Sequence, residues 1–496
     1  MLRFAALTLT WLVALACIVL SAVPVNDALI VLPGPIAVLT LAFGTSALAL
    51  PFLWLLAALS AAVALWNARR GTPAESILIA LFAGSMLLVL CARSVAAFIV
   101  AWEAASLVSA VLVARHYERI AVRRATLLYL IVTQGGALCI LVALGLLAVD
   151  AGSTSFAAIA AHATAAPARD KDAAFVLALI GFGSKAGLVP LHFWLPRAHP
   201  VAPAAASALL SGVMLKVALY GLFLVMLSLA GPGSAAWGIA LVIAGSASAL
   251  LGALFAVVEG DLKRVLAYAS VESVGVIAVA AGVAQIARSA GMPSLEALAL
   301  CGAFAGVVAH ALYKGLLFLG AGVVSELRKT SDLERLGGVA AQAPWLGAMM
   351  LVACAAASAV PLLSGFVAEW LVLQSTLALL AARRDILEIA VALIALAALA
   401  LTAGLVAATF VRFFGIAFLG TARAGRATAE RERFDSSSIA LGVLAAGCIV
   451  LGVVPSVILH PLSTIVAGIS GAAPPFGVAA LTPVALGMLP VIGVLC

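Results

Sequence analysis

Charge is what this chain is short of. Of its 496 residues, 27 are Lys or Arg and 20 are Asp or Glu, only 9% of the whole. So few charges cannot cover a soluble protein of this length, and apolar residues make up 66%. The composition is that of a polytopic membrane protein. The net charge of +7 is no nucleic-acid signature, because it comes mostly from loop arginines of the kind that orient membrane proteins. Cysteine pairing is lacking too. Cys17, Cys91, Cys139, Cys301, Cys354, Cys448 and Cys496 form no CxxC motif and are scattered through apolar segments. They read as small core hydrophobes, which excludes an iron–sulfur site and a disulfide framework. No cluster has metal-ligand spacing, no glycine-rich phosphate loop occurs, and no Ser–His–acid arrangement can be argued; His116, His162 and His460 fall in loops. Neither a metal, a cofactor nor a catalytic centre of its own is expected.

What is present is a succession of apolar runs. A spanning helix needs about 20 apolar residues. The expectation is an all-α polytopic fold of about fourteen spans: 3–22, 44–66, 75–92, 95–114, 126–149, 172–195, 203–229, 236–258, 265–284, 295–322, 345–380, 387–419, 438–458 and 478–495. The first run reads as a span rather than a signal peptide. The stretch 27–43 is short and carries Pro33 and Pro35, so it reads as an interfacial hairpin. The segment 345–380 is too long for one straight crossing. Taken as one interrupted crossing, it puts Arg3, Arg69, Arg70, Arg115, Arg119, Arg123, Arg124, Arg197, Lys263, Arg264, Arg328, Lys329, Arg335 and the arginines of 420–437 on one face. The other face receives only Arg93, Arg169, Lys171, Arg288, Arg383 and Arg384. The basic face is cytoplasmic by the positive-inside rule, so both termini are expected in the cytoplasm.

Two spans carry helix breakers beside an ionisable residue. "SKAGLVPLH" holds Lys185 before Gly187 and Pro190; "ASAVPLLSGFVAEW" holds Pro361 and Gly365 before Glu369. Non-helical backbone at that depth is tolerated only where protein or water covers it. Two such breaks with the charge on opposite sides predict an inverted structural repeat. The expected division is N-terminal helices 1–94, a first half-channel 95–258, a second 259–420 and C-terminal helices 421–496.

Within the spans remain Glu103, Lys185, Lys216, Glu272, His310, Lys314, Glu369 and Arg412. Arg412 lies near a span end and is expected to snorkel. Asp261 is expected to cap a helix. A charge at mid-bilayer costs at least about 2.5–3.5 kcal/mol, so the others should face one another or a water-filled cavity. A Lys–Glu pair there can exchange protons when its partner moves; the alternative is a set of static ion pairs that lock helices together. Three lysines, a histidine and three glutamates over several spans favour conduction. His192 and His199 flank Arg197 and are expected either to admit protons or to sit inertly at the interface.

These residues carry a resemblance. "GFGSKAGLVPLHFWLPRAHPVAP", "SALLSGVMLKVALYG", "GDLKRVLAYASVESVG", "HALYKGLLFLGAG" and "LSGFVAEWLVLQ", in that order, resemble the proton-translocating antiporter-like subunits of respiratory complex I, Mrp-type cation antiporters and group 4 hydrogenases. Within that family the likeness is to hydrogenase-4 component B and the formate hydrogenlyase membrane subunit. The resemblance implies that Glu103 pairs with Lys185, the proton carrier of the first half-channel. It implies that Lys216 links the halves, that His310 and Lys314 serve the second, and that Glu369 is its exit-side carrier. His192, His199 and Glu272 would be accessory. The implied function is a proton-conducting subunit of a redox complex in the bacterial inner membrane, partnered by other membrane subunits, lipid and a hydrophilic electron-transfer or hydrogenase module. The cargo would be protons, with Na⁺ in the alternative of an Mrp-like cation/proton antiporter; a structural scaffold is the third reading. No nucleic acid is implied.

Overall fold

The computed structural model describes residues 2–25, 29–382, 385–423 and 432–473. It is 82% helical, and among the described residues 13 helices are long and apolar enough to cross a membrane. The expected span 478–495 lies outside the described residues. The chain divides into two compact units, Met1–Trp237 and Gly238–Cys496, each of which is described by itself.

The first unit holds α1 (Leu2–Ala22), the strands β1 (Ile30–Leu32) and β2 (Leu41–Phe43), α2 (Leu50–Arg70), α3 (Pro73–Cys91), α4 (Val95–Val113), α5 (Ile120–Ala151), α6 (Phe156–His162), α7 (Ala168–Ala186), α8 (Leu195–Val201), α9 (Ala204–Leu209) and α10 (Leu215–Leu224). The expected hairpin in 27–43 is the antiparallel pair β1–β2, with Ile30 opposite Phe43 and Leu32 opposite Leu41. Its backbone is stitched to the α3–α4 junction by Arg93 N–H to the Ala42 carbonyl at 2.8 Å and by the Ser94 hydroxyl to the Thr40 carbonyl at 2.8 Å. The connection 150–172, which reads as polar from sequence, contains α6, held by the buried Phe156 and Ile159. Glycines bring α5 against α7: a Cβ at Gly136 would meet the Gly181 carbonyl, and one at Gly181 the Gly136 carbonyl. Small residues are how helices approach closely where lipid offers no hydrophobic drive.

The second unit opens on α11 (Ala235–Val258), within which the division falls, and continues through α12 (Leu262–Ser289), α13 (Pro293–Arg328), α14 (Val339–Gln342), α15 (Pro344–Ala357), α16 (Ser364–Ala382), α17 (Ile386–Phe418), α18 (Ser436–Val453) and α19 (Ser456–Ser470). The expected span 438–458 is thus split between α18 and α19. The segment 345–380 is interrupted between α15 and α16. Gly320 of α13 lies against Met350 of α15, and Gly302 against Leu371 and Val372 of α16. Those two points are about 27 Å apart along α13, so α15 and α16 run end to end beside it.

Both units repeat one order of elements. An acid-bearing helix (α4, α12) is followed by a long unbroken helix (α5, α13), a short one (α6, α14), a broken one (α7–α8, α15–α16) and a further span (α9–α10, α17). As expected, Asp261 caps α12 by accepting from the Lys263 and Arg264 amides. Arg412 does not simply snorkel. Its guanidinium donates to the Val257 and Glu259 carbonyls at 3.2 and 2.7 Å, closing off the end of α11, and lies 3.8 Å from Glu334.

Helix α11 packs on α12 through glycines seven residues apart. A Cβ at Gly245 would sit 2.7 Å from the Gly275 carbonyl, and one at Gly252 would sit 2.5 Å from the backbone of Glu272. The spacing of α11 and α12 therefore sets where Glu272 stands. Gly245→Val is expected to destabilise the second unit by about 1–3 kcal/mol, the usual penalty of overpacking. A thermal melt of the detergent-solubilised chain should show the drop; an unchanged midpoint would mean that α11 can shift freely.

Candidate functional site

Each unit places one ionisable group beside its helix break, Lys185 in the first and Glu369 in the second. In the first, α7 ends where Gly187 adopts φ +84°, a conformation that disfavours any side chain; a Cβ there would also strike Leu195. The amides of Gly187 and Leu188 both turn back to the Gly183 carbonyl at 2.9 Å. Trp194 donates its indole N–H to the Ser184 carbonyl at 2.8 Å, supplying a partner for a carbonyl that a continuing helix would have used. Lys185 thus occupies the last turn of α7, where the helix dipole favours a cation. It is buried, at 2% exposure. Its ammonium donates to the Ser106 hydroxyl of α4 and stands 4.2 Å from the centre of the Trp102 ring.

Glu103 departs from expectation. It is half-buried rather than buried, and its carboxylate accepts from the exposed Gln134 of α5 at 2.9 Å. Lys185 is held by Ser106 and Trp102, so the implied Glu103–Lys185 pair is not a contact ion pair. The reason is geometric: Ser106 lies one turn beyond Glu103 on α4 and meets the ammonium first.

Two π-helical segments, Leu210–Met214 and Val225–Leu229, flank α10. Lys216 is fully buried and donates to the Ser211 carbonyl. A π-turn shifts the i→i−4 pattern and is often found at functional sites. Buried Tyr129 of α5 pairs its hydroxyl with Ser109 of α4, reaches the Met214 sulfur at 3.5 Å and packs its ring 4.9 Å from Trp194. His199 is buried, and its carbonyl accepts from Ser207 at 3.3 Å. His192 is half-buried in the short 3₁₀ turn Leu191–Trp194.

In the second unit the break spans 358–363, with Ala359 at φ +50° and Leu362 at φ +71°. Glu369 follows in α16 and is half-buried. It lines two cavities. One, of about 280 Å³, is shared with Glu272, Ser358, Trp370 and Thr402. The other, of about 20 Å³, is shared with Ser273 and Tyr313, enough for one water. Glu272, which the resemblance makes accessory, therefore shares a cavity with Glu369. Its carboxylate accepts from Ser273 at 2.7 Å, and Ser273 accepts from Tyr313 at 3.2 Å. His310 and Lys314 are both buried on α13. The His310 ring meets Tyr313 edge-on at 5.3 Å. Lys314 donates to the Leu266 carbonyl at 3.2 Å and stands 5.5 Å from the Phe410 ring.

Sequence reasoning overlooked Trp102, Ser106, Ser109, Tyr129, Gln134, Ser273 and Tyr313. The serines at 106 and 109 follow Glu103 at successive helical turns, which was the one signal available. Tyrosines within apolar helices gave none.

Residues 92–397 match the family described as NADH:quinone oxidoreductase/Mrp antiporter, TM. The chain is 40% identical to hydrogenase-4 component B of Escherichia coli over 323 residues, 65% of this chain and 48% of that protein; it spans about half the length of the curated relatives it matches. In fold it is similar to a chain of respiratory complex I from Thermus thermophilus (TM-score 0.78, 24% identity, 95% of this chain and 99% of that one). It is also similar to a chain of the Mrp complex from Dietzia (TM-score 0.79, 24% identity, 99% of this chain and 53% of that one).

Proposed function

This chain belongs to the membrane family of NADH:quinone oxidoreductase and Mrp antiporter subunits, and from that premise we propose that it is a proton-conducting subunit of a redox-linked assembly of the hydrogenase-4 or complex I kind. One observation carries the reading: in each unit an ionisable side chain stands at a helix break in contact with hydroxyls or a cavity, Lys185 on Ser106 and Glu369 on two cavities. A static lock would pair charge with charge. Here Lys185 and Glu272 meet hydroxyls, and Glu369 faces two cavities.

The roles follow from position. Lys185 and Lys216 are the carriers of the first unit; His310, Lys314, Glu272 and Glu369 are those of the second. Glu103 sets the field that Lys185 feels. Halfway along α4, with exposed Gln134 beside it, Glu103 would be costly against acyl chains, which supports a second membrane subunit covering the α4–α5 face. A hydrophilic electron-transfer or hydrogenase module would supply the driving reaction. The loop arginines favour cytoplasmic termini in a bacterial inner membrane.

The test is proton flux. The purified chain in liposomes, given a pH step and a lumenal pH dye, is expected to equilibrate faster than empty liposomes; equal rates would end the proposal. The second reading, cation–proton antiport, is supported by the fold shared with the Mrp chain. It would replace the first if an outward Na⁺ gradient alone acidified the lumen.

A further inference from the structure

We propose that two buried tyrosine–serine hydroxyl pairs, Tyr129–Ser109 in the first unit and Tyr313–Ser273 in the second, are proton carriers that join the ionisable groups within their own unit. This rests on the proton-conducting reading and adds residues to it.

In the first unit the Ser109–Tyr129 pair stands between the groups that hold two lysines. The Lys185 ammonium donates to Ser106. Ser109, the next hydroxyl on that helix, is paired with Tyr129, whose hydroxyl extends to Met214. Met214 closes the π-turn whose Ser211 carbonyl holds the Lys216 ammonium. Ser106, Ser109, Tyr129 and Lys216 are all fully buried. Ser109 also donates to the Ala105 and Ser106 carbonyls of its own helix, at 2.7 and 2.9 Å, and in that state it accepts from Tyr129. Turning the serine hydroxyl reverses the pair, since a hydroxyl both donates and accepts.

The proton count closes. Lys185 gives a proton to Ser106, which must turn from the Trp102 carbonyl to pass its own to Ser109. Ser109 passes its own to Tyr129, and Tyr129, past the Met214 sulfur that it now meets, passes its own through a bridging water to a neutral Lys216 amine. Each hydroxyl ends as it began; Lys185 has lost one proton and Lys216 has gained it.

The second unit carries the same device in a different order. Tyr313 donates to Ser273, and Ser273 donates to Glu272. On the other side of Tyr313, the water-sized cavity reaches Glu369. A protonated Glu369 releases its proton to that water, the water to Tyr313, Tyr313 to Ser273, and Ser273 to the Glu272 carboxylate. Turning both hydroxyls resets the line. Neither tyrosine needs a hydroxyl to hold its ring: Tyr129 is seated by Trp194 and Tyr313 by His310.

Tyr129→Phe and Tyr313→Phe, made in the full chain and measured in the liposome assay, each delete one oxygen and keep the ring. Each is expected to slow proton equilibration roughly 10-fold or more, with a changed solvent isotope effect in D₂O and a melting midpoint close to that of the parent. Ser109→Ala should slow flux and Ser109→Thr should restore it, and Tyr129→Phe combined with Ser109→Ala should be no slower than either alone. Parental flux in the phenylalanine variants, or equal flux in Ser109→Ala and Ser109→Thr, would overturn the proposal. Lys185→Ala serves as the control. If the parent chain equilibrates no faster than empty liposomes, the conduction reading itself has failed; if Lys185→Ala is silent while the phenylalanine variants conduct normally, only the hydroxyl bridge has.

Discussion

Lys185→Ala is expected to bring proton flux through the reconstituted chain down to that of empty liposomes, with the protein still folded and inserted. The surroundings of the Lys185 ammonium are the reason. It is buried among a hydroxyl, an indole face and the end of a helix, and no carboxylate touches it. Removing one member of a contact ion pair strands the other and destabilises strongly. Here nothing is stranded, because Ser106 retains the Trp102 carbonyl as a partner at 2.8 Å. The melting midpoint should therefore hold or rise. Lys185→Arg separates charge from titration. Arginine keeps the cation but does not deprotonate in proteins, so this variant should be as silent as alanine. Parental flux in either variant would remove Lys185 from the path. Silence in alanine with normal flux in arginine would make the residue an electrostatic element rather than a carrier.

Glu369→Gln carries the second large effect. The exchange preserves shape and the lining of both cavities while removing a group that can hold and release a proton. Flux should again fall to the empty-liposome level, and the melting midpoint should stay near that of the parent. Glu369→Asp retains the acid but draws it back from the cavities by one methylene. It is expected to keep roughly a tenth of the flux, in line with the strong dependence of proton transfer on reach. A glutamine variant that conducts at the parental rate would leave Glu272 as the acid of the second unit and refute the role assigned to Glu369.

The membrane class, most of the spans and both interrupted helices were legible in the sequence. The reason is physical: a bilayer imposes length and apolarity on every crossing, and Gly187, Pro190 and Pro361 fall in the breaks themselves, whereas Gly365 lies in the first turn of α16. The hairpin at 27–43 was legible for the same reason, since two prolines close together forbid a continuous helix. Local chemistry of this kind also gave the Asp261 cap. The candidate carriers could be named because an ionisable residue inside a crossing is rare and costly.

What the sequence alone determined, then, was which residues are exceptional in a lipid-spanning chain and where its helices must stop. Only the tertiary structure decided which groups they meet. Glu103 and Lys185 looked like partners, yet one turn of α4 hands the lysine to Ser106 and leaves the carboxylate to Gln134. Glu272 and Glu369, 97 positions apart on α12 and α16, face one cavity. Tyr129 and Tyr313 are unremarkable in an apolar run until serines from neighbouring helices reach their hydroxyls. Periodicity fixes a side chain's direction around its own helix axis. The partner across the interface depends on how closely two helices approach, and here that is set by backbone meeting backbone at Gly136, Gly181, Gly245 and Gly275.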